Sequence, residues 1–94
     1  MLNAMIIDPK DDVVVAIEPI KAGDDVNYML DGKLQTLKAV TDVTIYHKVA
    51  RHDIKKGDMV SKYGQHIGMA ACDIKAGEHV HTHNIASKRE DLHD

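Results

Sequence analysis

Short apolar segments separated by turn signals run along most of this chain. The apolar segments are residues 4–7, 13–17, 35–40, 44–50, 59–63, 66–71 and 79–84. Gly, Asp and Pro mark the turns between them, as at Asp31-Gly32 and Tyr63-Gly64. No window carries the sustained i, i+3, i+4, i+7 stripe of a substantial amphipathic helix. The pattern predicts a mostly β fold with short strands and tight glycine turns.

The apolar composition also favours strands over helices. The chain has nine Val and nine Ile against five Leu, and β-branched side chains are stiff and pack well on a pleated surface. A length of 94 residues allows one small domain, residues 1–94, with no second core. We expect the polar C-terminal end, from about residue 86, to be poorly ordered.

A sequence template, A-x-x-[PD]-I-K-x-G-[DE]-x-V, occurs three times. The copies are AIEPIKAGDDV at residues 16–26, ARHDIKKGDMV at 50–60 and AACDIKAGEHV at 70–80. We expect the Ile and the Val to enter the core, the Gly to take a positive φ in a tight turn, and the acid after it to be exposed. A repeated turn of this kind is more typical of a scaffold than of a reactive site.

Charge and composition exclude several classes of protein. The formal net charge of −3, with three Tyr and no Phe or Trp, argues against a nucleic-acid binder, which normally has a basic patch and aromatic stacking residues. No apolar run reaches the ~20 residues of a membrane span, and the N-terminus does not resemble a signal peptide. We therefore expect a cytoplasmic protein with no membrane partner. The single cysteine, Cys72, cannot form an internal disulfide and is expected to be half-buried and inert.

Seven histidines are a high number for a chain of this length. If the last predicted strand continues to Asn84, period-2 alternation places His79, His81 and His83 on its outward face. A metal site there is disfavoured, because a third imidazole fits poorly on an unbent strand and no nearby Cys or acid completes a ligand set. We therefore predict no metal bound by this chain alone. Two interpretations stay open, a surface that binds an anionic substrate or a subunit, and a solvated strand end.

A second histidine, His47, is followed directly by Lys48. A histidine beside a lysine suits a general base next to a cationic carboxylate anchor. Adjacent residues on a strand face opposite ways, so a joint role requires a loop or bulge at this point. His52 and His66 are expected to be surface residues. Gly68 is expected where another backbone segment approaches closely.

Residues 47–84 resemble the N-terminal domain of altronate and galactarate dehydratases. They are equally similar to the separate small subunit that some members, and the related sulfolactate sulfo-lyase, have as an independent chain. The matching elements are His47-Lys48-Val49-Ala50, Asp53-Ile54 with Gly57, Lys62-Tyr63-Gly64, Ile67-Gly68, Asp73-Ile74, and GEHVHTHN at residues 77–84. The HVHTHN ending, together with the KYG…IG segment, is the most specific part of the likeness.

The resemblance implies a compact SAF-type domain of the β-clip class and a role in a lyase. The chain would be the small subunit of a two-component hydroxy-acid or sugar-acid dehydratase, inactive without its large catalytic subunit. The iron (Fe²⁺) of that family is expected in the large subunit, and the substrate is expected to be an anionic hydroxy acid. Carried over by position, the catalytic candidates are His47 and Lys48. The candidates for substrate binding or subunit docking are His79, His81, His83 and Asn84.

Three points stay open at this level. The family usually has Ile-Pro-x-Gly before His-Lys, whereas this chain has Thr44 and Tyr46 at the Pro and Gly positions, which affects the turn that presents His47. The alternatives to a dehydratase subunit are the small subunit of a carbon–sulfur lyase acting on sulfolactate and a non-catalytic SAF binding or assembly module. Self-association through the histidine face is a further alternative.

Overall fold

A computed structural model describes residues 2–62, 65–81 and 83–87. Within these ranges the regular structure is all strand, with no helix, which confirms the mostly β prediction. The strands are β1 (Ala4–Met5), β2 (Val13–Ala16), β3 (Asp25–Leu30), β4 (Lys33–Lys38), β5 (Lys48–Ala50), β6 (Met59–Lys62), β7 (Gln65–Ala70), β8 (His79–Val80) and β9 (Ile85–Ser87). No helix in these described ranges is long and apolar enough to cross a membrane.

The strands form three antiparallel sheets. The central sheet has the order β1-β2-β5-β8, and the others are the β3-β4 hairpin and the three-stranded sheet β6-β7-β9. The β3-β4 hairpin closes through Asp31 and Gly32, which both have positive φ, 51° and 78°, as a two-residue hairpin turn requires. In the central sheet β8 pairs with β5, with Val49 opposite His79. This pairing brings the His47-Lys48 motif next to the start of the HVHTHN motif at His79.

The central sheet separates two hydrophobic cores, so the expectation of no second core is wrong: a sheet that is apolar on both faces buries one cluster on each side. Adjacent residues of β2, Val13 and Val14, are both fully buried but belong to different cores, because successive side chains of a strand point to opposite faces. One core contains Ala4, Val14, Ala16, Ile20, Val26, Tyr28, Ala39, Val43 and Val49. The other contains Val13, Ala50, Ile54, Val60, Ala70, Ile74 and Val80. The stability of the domain is thus divided between two small aliphatic cores.

The repeated template forms the turns of the fold as predicted, except that Glu78, one of the acids expected to be exposed, is half-buried. Its glycines, Gly23, Gly57 and Gly77, have φ of 91°, 91° and 87°. Its final valines, Val26, Val60 and Val80, are fully buried. The second and third copies face each other through a bridge between Ile54 and Ile74. The Asp before each Ile accepts a hydrogen bond from the opposite turn, Lys56 N to Asp73 and Ala76 N to Asp53, each at 2.9 Å.

A fourth copy of the turn is present at residues 39–49, AVTDVTIYHKV. The sequence template does not match it, because Tyr46 stands at the Gly position and Val43-Thr44 at the Ile-Lys positions. Val43 bridges Ile20 as Ile54 bridges Ile74. Tyr46 takes the glycine position with φ 69°, and His47 N donates to Thr44 O at 3.0 Å as Glu78 N donates to Lys75 O. Tyr46 thus adopts the left-handed conformation that glycine adopts in the other three copies.

Other details of the sequence interpretation need correction. Strand β3 lies outside the predicted segments, because its alternation of buried Val26 and Tyr28 with polar neighbours was not recognised. The last predicted strand ends at Val80, and a turn follows in which Asn84 N donates to His81 O. Cys72 is exposed, not half-buried.

The expectation of a close backbone approach at Gly68 is confirmed. A Cβ at this position would overlap the backbone oxygen of Ala86 in the adjacent strand β9. Residues 86 and 87 of the expected polar tail belong to β9. Residues 88–94 and the predicted Tyr63-Gly64 turn lie outside the described residues.

Candidate functional site

Four imidazole rings meet at one end of the central sheet, and we call this group the histidine cluster: His47, His79, His81 and His83. The Nδ1 of His47 lies 2.8 Å from the Nε2 of His79. The ring of His47 also stacks on that of His81, with centroids 4.0 Å apart and planes 14° apart. The ring of His83 lies 5.1 Å from that of His79, tilted by 39°. Side chains 32 residues apart in sequence therefore form one contiguous surface.

The fourth turn positions His47. In the other copies an acid follows the glycine, and the Asp24 and Glu78 carboxylates accept hydrogen bonds from the backbone N–H of Lys21 and Lys75. His47 occupies this position in its copy, directly before β5. Its backbone is fixed by hydrogen bonds on both sides, since Tyr46 N donates to Ala16 O and Ala16 N donates to His47 O. The imidazole is consequently presented from a rigid turn and reaches the adjacent strand.

A buried amide organises the segment that carries the other histidines. Asn84 is 1% exposed; its Nδ2 donates to His79 O at 2.8 Å and its Oδ1 accepts from His81 N at 2.9 Å. The backbone N–H of His79 also donates to Thr41 Oγ1 at 3.0 Å. Asn84 was predicted as a substrate-binding or docking candidate, but in this structure both its polar side-chain atoms bond the backbone. We therefore regard it as a positioning residue.

The environment of the cluster disfavours protonated imidazoles. Partial burial lowers the pKa of His79, and the neighbouring His83, His47, His81 and Lys48 lower it further. The pKa of His81 is lowered by desolvation first, then by His47, Lys48 and His83. Every group that shifts these two pKa values is cationic or another imidazole. Burial and the nearby charge of Lys48 therefore favour the neutral imidazole at His79 and His81.

Lys48 adds a half-buried ammonium group at the start of β5. Burial lowers its pKa, and the charge of Lys62 lowers it further. The positive charge of Lys48 also lowers the pKa of His79 and His81, so Lys48 interacts electrostatically with the histidine cluster. Adjacent residues of a strand face opposite ways, so a joint role of His47 and Lys48 requires a loop at this point. The structure has one, because His47 is the last residue of the turn and Lys48 is the first residue of β5.

This arrangement allows two kinds of chemistry. The His47–His79 contact places one proton between two ring nitrogens, so the pair can accept or release a proton next to a bound anion. The donor atoms of His47, His79 and His81 also lie within 4.8 Å of one another, which is the kind of all-nitrogen set that binds divalent transition metals.

The structure brings together five of the six residues that the sequence singled out as site candidates, and Asn84 supports them from beneath. Sequence reasoning missed the contact between the two motifs, because it considered His79, His81 and His83 only with one another. The sequence does contain a signal for this contact, which is the fourth copy of the turn at residues 39–49. It aligns Lys48 with His79, and hence predicts β5 and β8 as equivalent strands.

Comparisons with known proteins agree with this structure. Residues 2–88 match the family described as the altronate/galactarate dehydratase SAF domain. The chain is 44% identical to altronate dehydratase of Escherichia coli (strain K12) over 82 residues, 87% of this chain but 16% of that protein. It therefore spans about one sixth of the altronate dehydratases that it matches.

Two sulfo-lyase subunits are similar over most of their own length. The chain is 49% identical to (2R)-sulfolactate sulfo-lyase subunit alpha of Paracoccus pantotrophus over 53 residues, 56% of this chain and 79% of that subunit. It is 37% identical to the same subunit of Chromohalobacter salexigens over 78 residues, 81% of this chain and 83% of that subunit. The family match, the all-strand fold and these relatives agree, and the chain belongs to the altronate/galactarate dehydratase SAF domain family.

Proposed function

We propose that this chain is the small subunit of a lyase that eliminates water from an anionic hydroxy acid or sugar acid, and that its histidine cluster completes an active site on a large subunit. The observation that carries the proposal is the convergence of His47, Lys48 and the histidines of residues 79–83 on one surface. They come from separate segments, and none is needed to fill either hydrophobic core.

The charge of the cluster supports an anionic substrate. Removal of a proton next to a carboxylate builds negative charge on that carboxylate, and a fixed cation beside it stabilises the transition state. Lys48 supplies such a cation, and the exposed His83 supplies a second hydrogen-bond donor. The His47–His79 pair, with its nitrogens 2.8 Å apart, is suited to take up or deliver the proton. An Fe²⁺ ion in the large subunit, as we propose, assists departure of the leaving group.

The names of the relatives support a two-component enzyme. Two relatives are called subunit alpha of a sulfo-lyase, and the similarity covers 79% and 83% of their lengths. The altronate dehydratases are far longer than the matched region. A sulfo-lyase is accordingly the second candidate function; there the leaving group would be sulfite in place of water.

The test is reconstitution of activity with purified components. The chain is mixed with a large subunit of the same family from the same organism, and altronate, galactarate and (2R)-sulfolactate are supplied in parallel. We expect loss of water from one of the sugar acids only when both components are present. Release of sulfite from sulfolactate would assign the second candidate, and full activity of the large subunit alone would disprove the composite site.

A non-catalytic binding module is the remaining alternative, and variants distinguish it. Lys48→Met and His66→Ala are compared, because His66 is an exposed histidine on β7, outside the cluster. We expect Lys48→Met to raise KM for the acid substrate without weakening subunit association, and His66→Ala to change neither. If Lys48→Met lowers only the affinity between the subunits, the surface is a docking face.

A further inference from the structure

We propose that His47, His79 and His81 of this chain bind one divalent transition-metal ion. This goes beyond the proposed function and departs from the prediction that the chain alone binds no metal. That prediction assumed that all ligands must come from one straight strand. The structure removes this assumption in two ways. Strand β8 ends at Val80, so that His81 lies in a turn, and His47 is contributed by the turn before β5, the strand that pairs with β8.

The distances between the donor atoms suit a single ion. Ligand nitrogens at ~2.0–2.1 Å from a tetrahedral ion lie roughly 3.3 Å from one another. The His47 and His79 nitrogens are 2.8 Å apart, and one donor atom from each of the three residues lies within 4.8 Å of the others. The 2.8 Å separation is shorter than the ideal value, and the 4.8 Å limit is longer. To bind one ion, the three side chains must therefore shift by up to about an ångström. All three are only half-buried.

The donor set indicates the class of metal. Three neutral imidazoles without thiolate or carboxylate suit Zn²⁺, Co²⁺, Ni²⁺ or Fe²⁺ and do not suit Mg²⁺ or Ca²⁺, which prefer oxygen ligands. Three protein ligands also leave a coordination position for water or for a carboxylate oxygen of a substrate, as in catalytic zinc sites. The nearby ammonium of Lys48 opposes a second cation, so the site is weaker than a structural four-ligand site.

Metal binding requires two local changes. The planes of the three rings are within 20° of parallel, so at least two rings must rotate to point their lone pairs at one ion. The proton shared by His47 Nδ1 and His79 Nε2 must also move to the other nitrogen of its ring. Both rings then coordinate as neutral imidazoles, and no net proton is released.

Backbone support limits the cost of these changes. Asn84 fixes the backbone of both His79 and His81, and the turn hydrogen bonds fix that of His47. Only the χ angles of three partly exposed side chains must therefore adjust. His83 is exposed, and its ring is tilted relative to that of His79; we place it outside the ligand set.

The experiment titrates the full-length chain, first stripped with EDTA, with Zn²⁺ by calorimetry and with Co²⁺ by visible absorption. We expect one saturable site per chain and a Co²⁺ ligand-field band from nitrogen coordination. Long-range ¹H–¹⁵N NMR spectra should show the ring nitrogens of His47, His79 and His81 shifting on Zn²⁺ addition. His81→Ala should weaken binding by more than the roughly 10–100-fold that loss of an outer-shell partner costs.

His52→Ala and His66→Ala are matched controls that should leave the affinity within threefold, because both residues are exposed, and His93→Ala is measured beside them. His83→Ala should also leave the affinity within threefold if the ligand set is the one proposed. The proposal is overturned if no saturable binding is found, if His81→Ala binds as the unmodified chain does, or if His93→Ala removes the site. Because no large subunit is present in this titration, its failure would leave the reconstitution test of the proposed function unaffected, and failure of the reconstitution would leave the titration unaffected. A bound ion would occupy the nitrogens of His47 and His79 that lie 2.8 Å apart, so in the metal-bound chain these two residues are ligands and not the proton-transfer pair.

Discussion

The turn before β5 and the turn before β8 share one backbone but differ in chemistry. In the turn before β8, Gly77 takes the left-handed position and Glu78 bonds its own turn through Lys75 N. In the turn before β5, Tyr46 takes the same position and His47 contacts His79 on the adjacent strand. The fold therefore supplies equivalent positions several times, and the candidate site arises where one copy replaces the acid with an imidazole.

The largest expected effect comes from filling the glycine position of the turn before β8. Gly77 is buried with φ +87°, and a Cβ there would overlap the backbone oxygen of Lys38. Gly57 has φ +91° but open space around it. We expect Gly77→Ala to lower the free energy of unfolding by about 3 kcal/mol or more, and Gly57→Ala by about 1 kcal/mol. Urea denaturation of both variants measures this; equal losses would mean that close packing at Gly77 is unimportant.

The second largest effect is expected at the amide beneath the histidine cluster. Asn84→Ala removes two hydrogen bonds to buried backbone groups, which we expect to cost about 2 kcal/mol and to shift the His79 and His81 ring signals in NMR spectra. Asn3 is a matched control, because its side chain also makes two hydrogen bonds to backbone, to Asn27 N and Asp25 O, at a less buried position. Asn3→Ala should cost about 1 kcal/mol and leave the cluster signals in place. Unchanged His79 and His81 signals in Asn84→Ala would refute the positioning role.

The sequence predicted the scaffold better than the site, and the turns explain why. Glycine at Gly23, Gly57 and Gly77 is a local signal for a positive φ, so the repeated turns and their buried valines followed from the template. Tyr46 carries no such signal, because a tyrosine seldom adopts this conformation. The fourth turn, and with it the approach of His47 to His79, depends on pairing between strands 32 residues apart, which local patterns do not encode.

The third prediction concerns the pH dependence of stability, measured with EDTA present. The pKa of His79 is lowered in the folded protein by burial, His83, His47, His81 and Lys48, while in the unfolded chain it is near the ordinary ~6.5. Below that pH the unfolded chain binds more protons than the folded one, so stability falls as pH decreases through about 6.5 toward the folded pKa. His79→Gln should flatten this dependence, and His66→Gln should keep it. An unchanged slope in His79→Gln would contradict the assignment.

The smallest effect is expected from restoring glycine in the turn before β5. Tyr46 is 71% exposed, so its ring contributes little packing, while its positive φ is unfavourable for a side chain with a Cβ. We expect Tyr46→Gly to raise the free energy of unfolding by up to about 1 kcal/mol and to keep the contact between His47 and His79. Thermal unfolding and NMR of the ring nitrogens check both parts. A loss of stability would indicate that the tyrosine ring has a structural role in the turn.

A role of the histidine cluster in a composite active site can be measured as the kcat of a reconstituted complex in which His47 is replaced, His47→Gln. The large subunit is saturated with the variant, so that weaker association cannot lower the rate, and His66→Gln is measured beside it. We expect a fall in kcat of about 10²-fold or more for His47→Gln, because a proton-transfer group is lost, and no change for His66→Gln. A kcat equal to that of the unmodified complex would contradict this role.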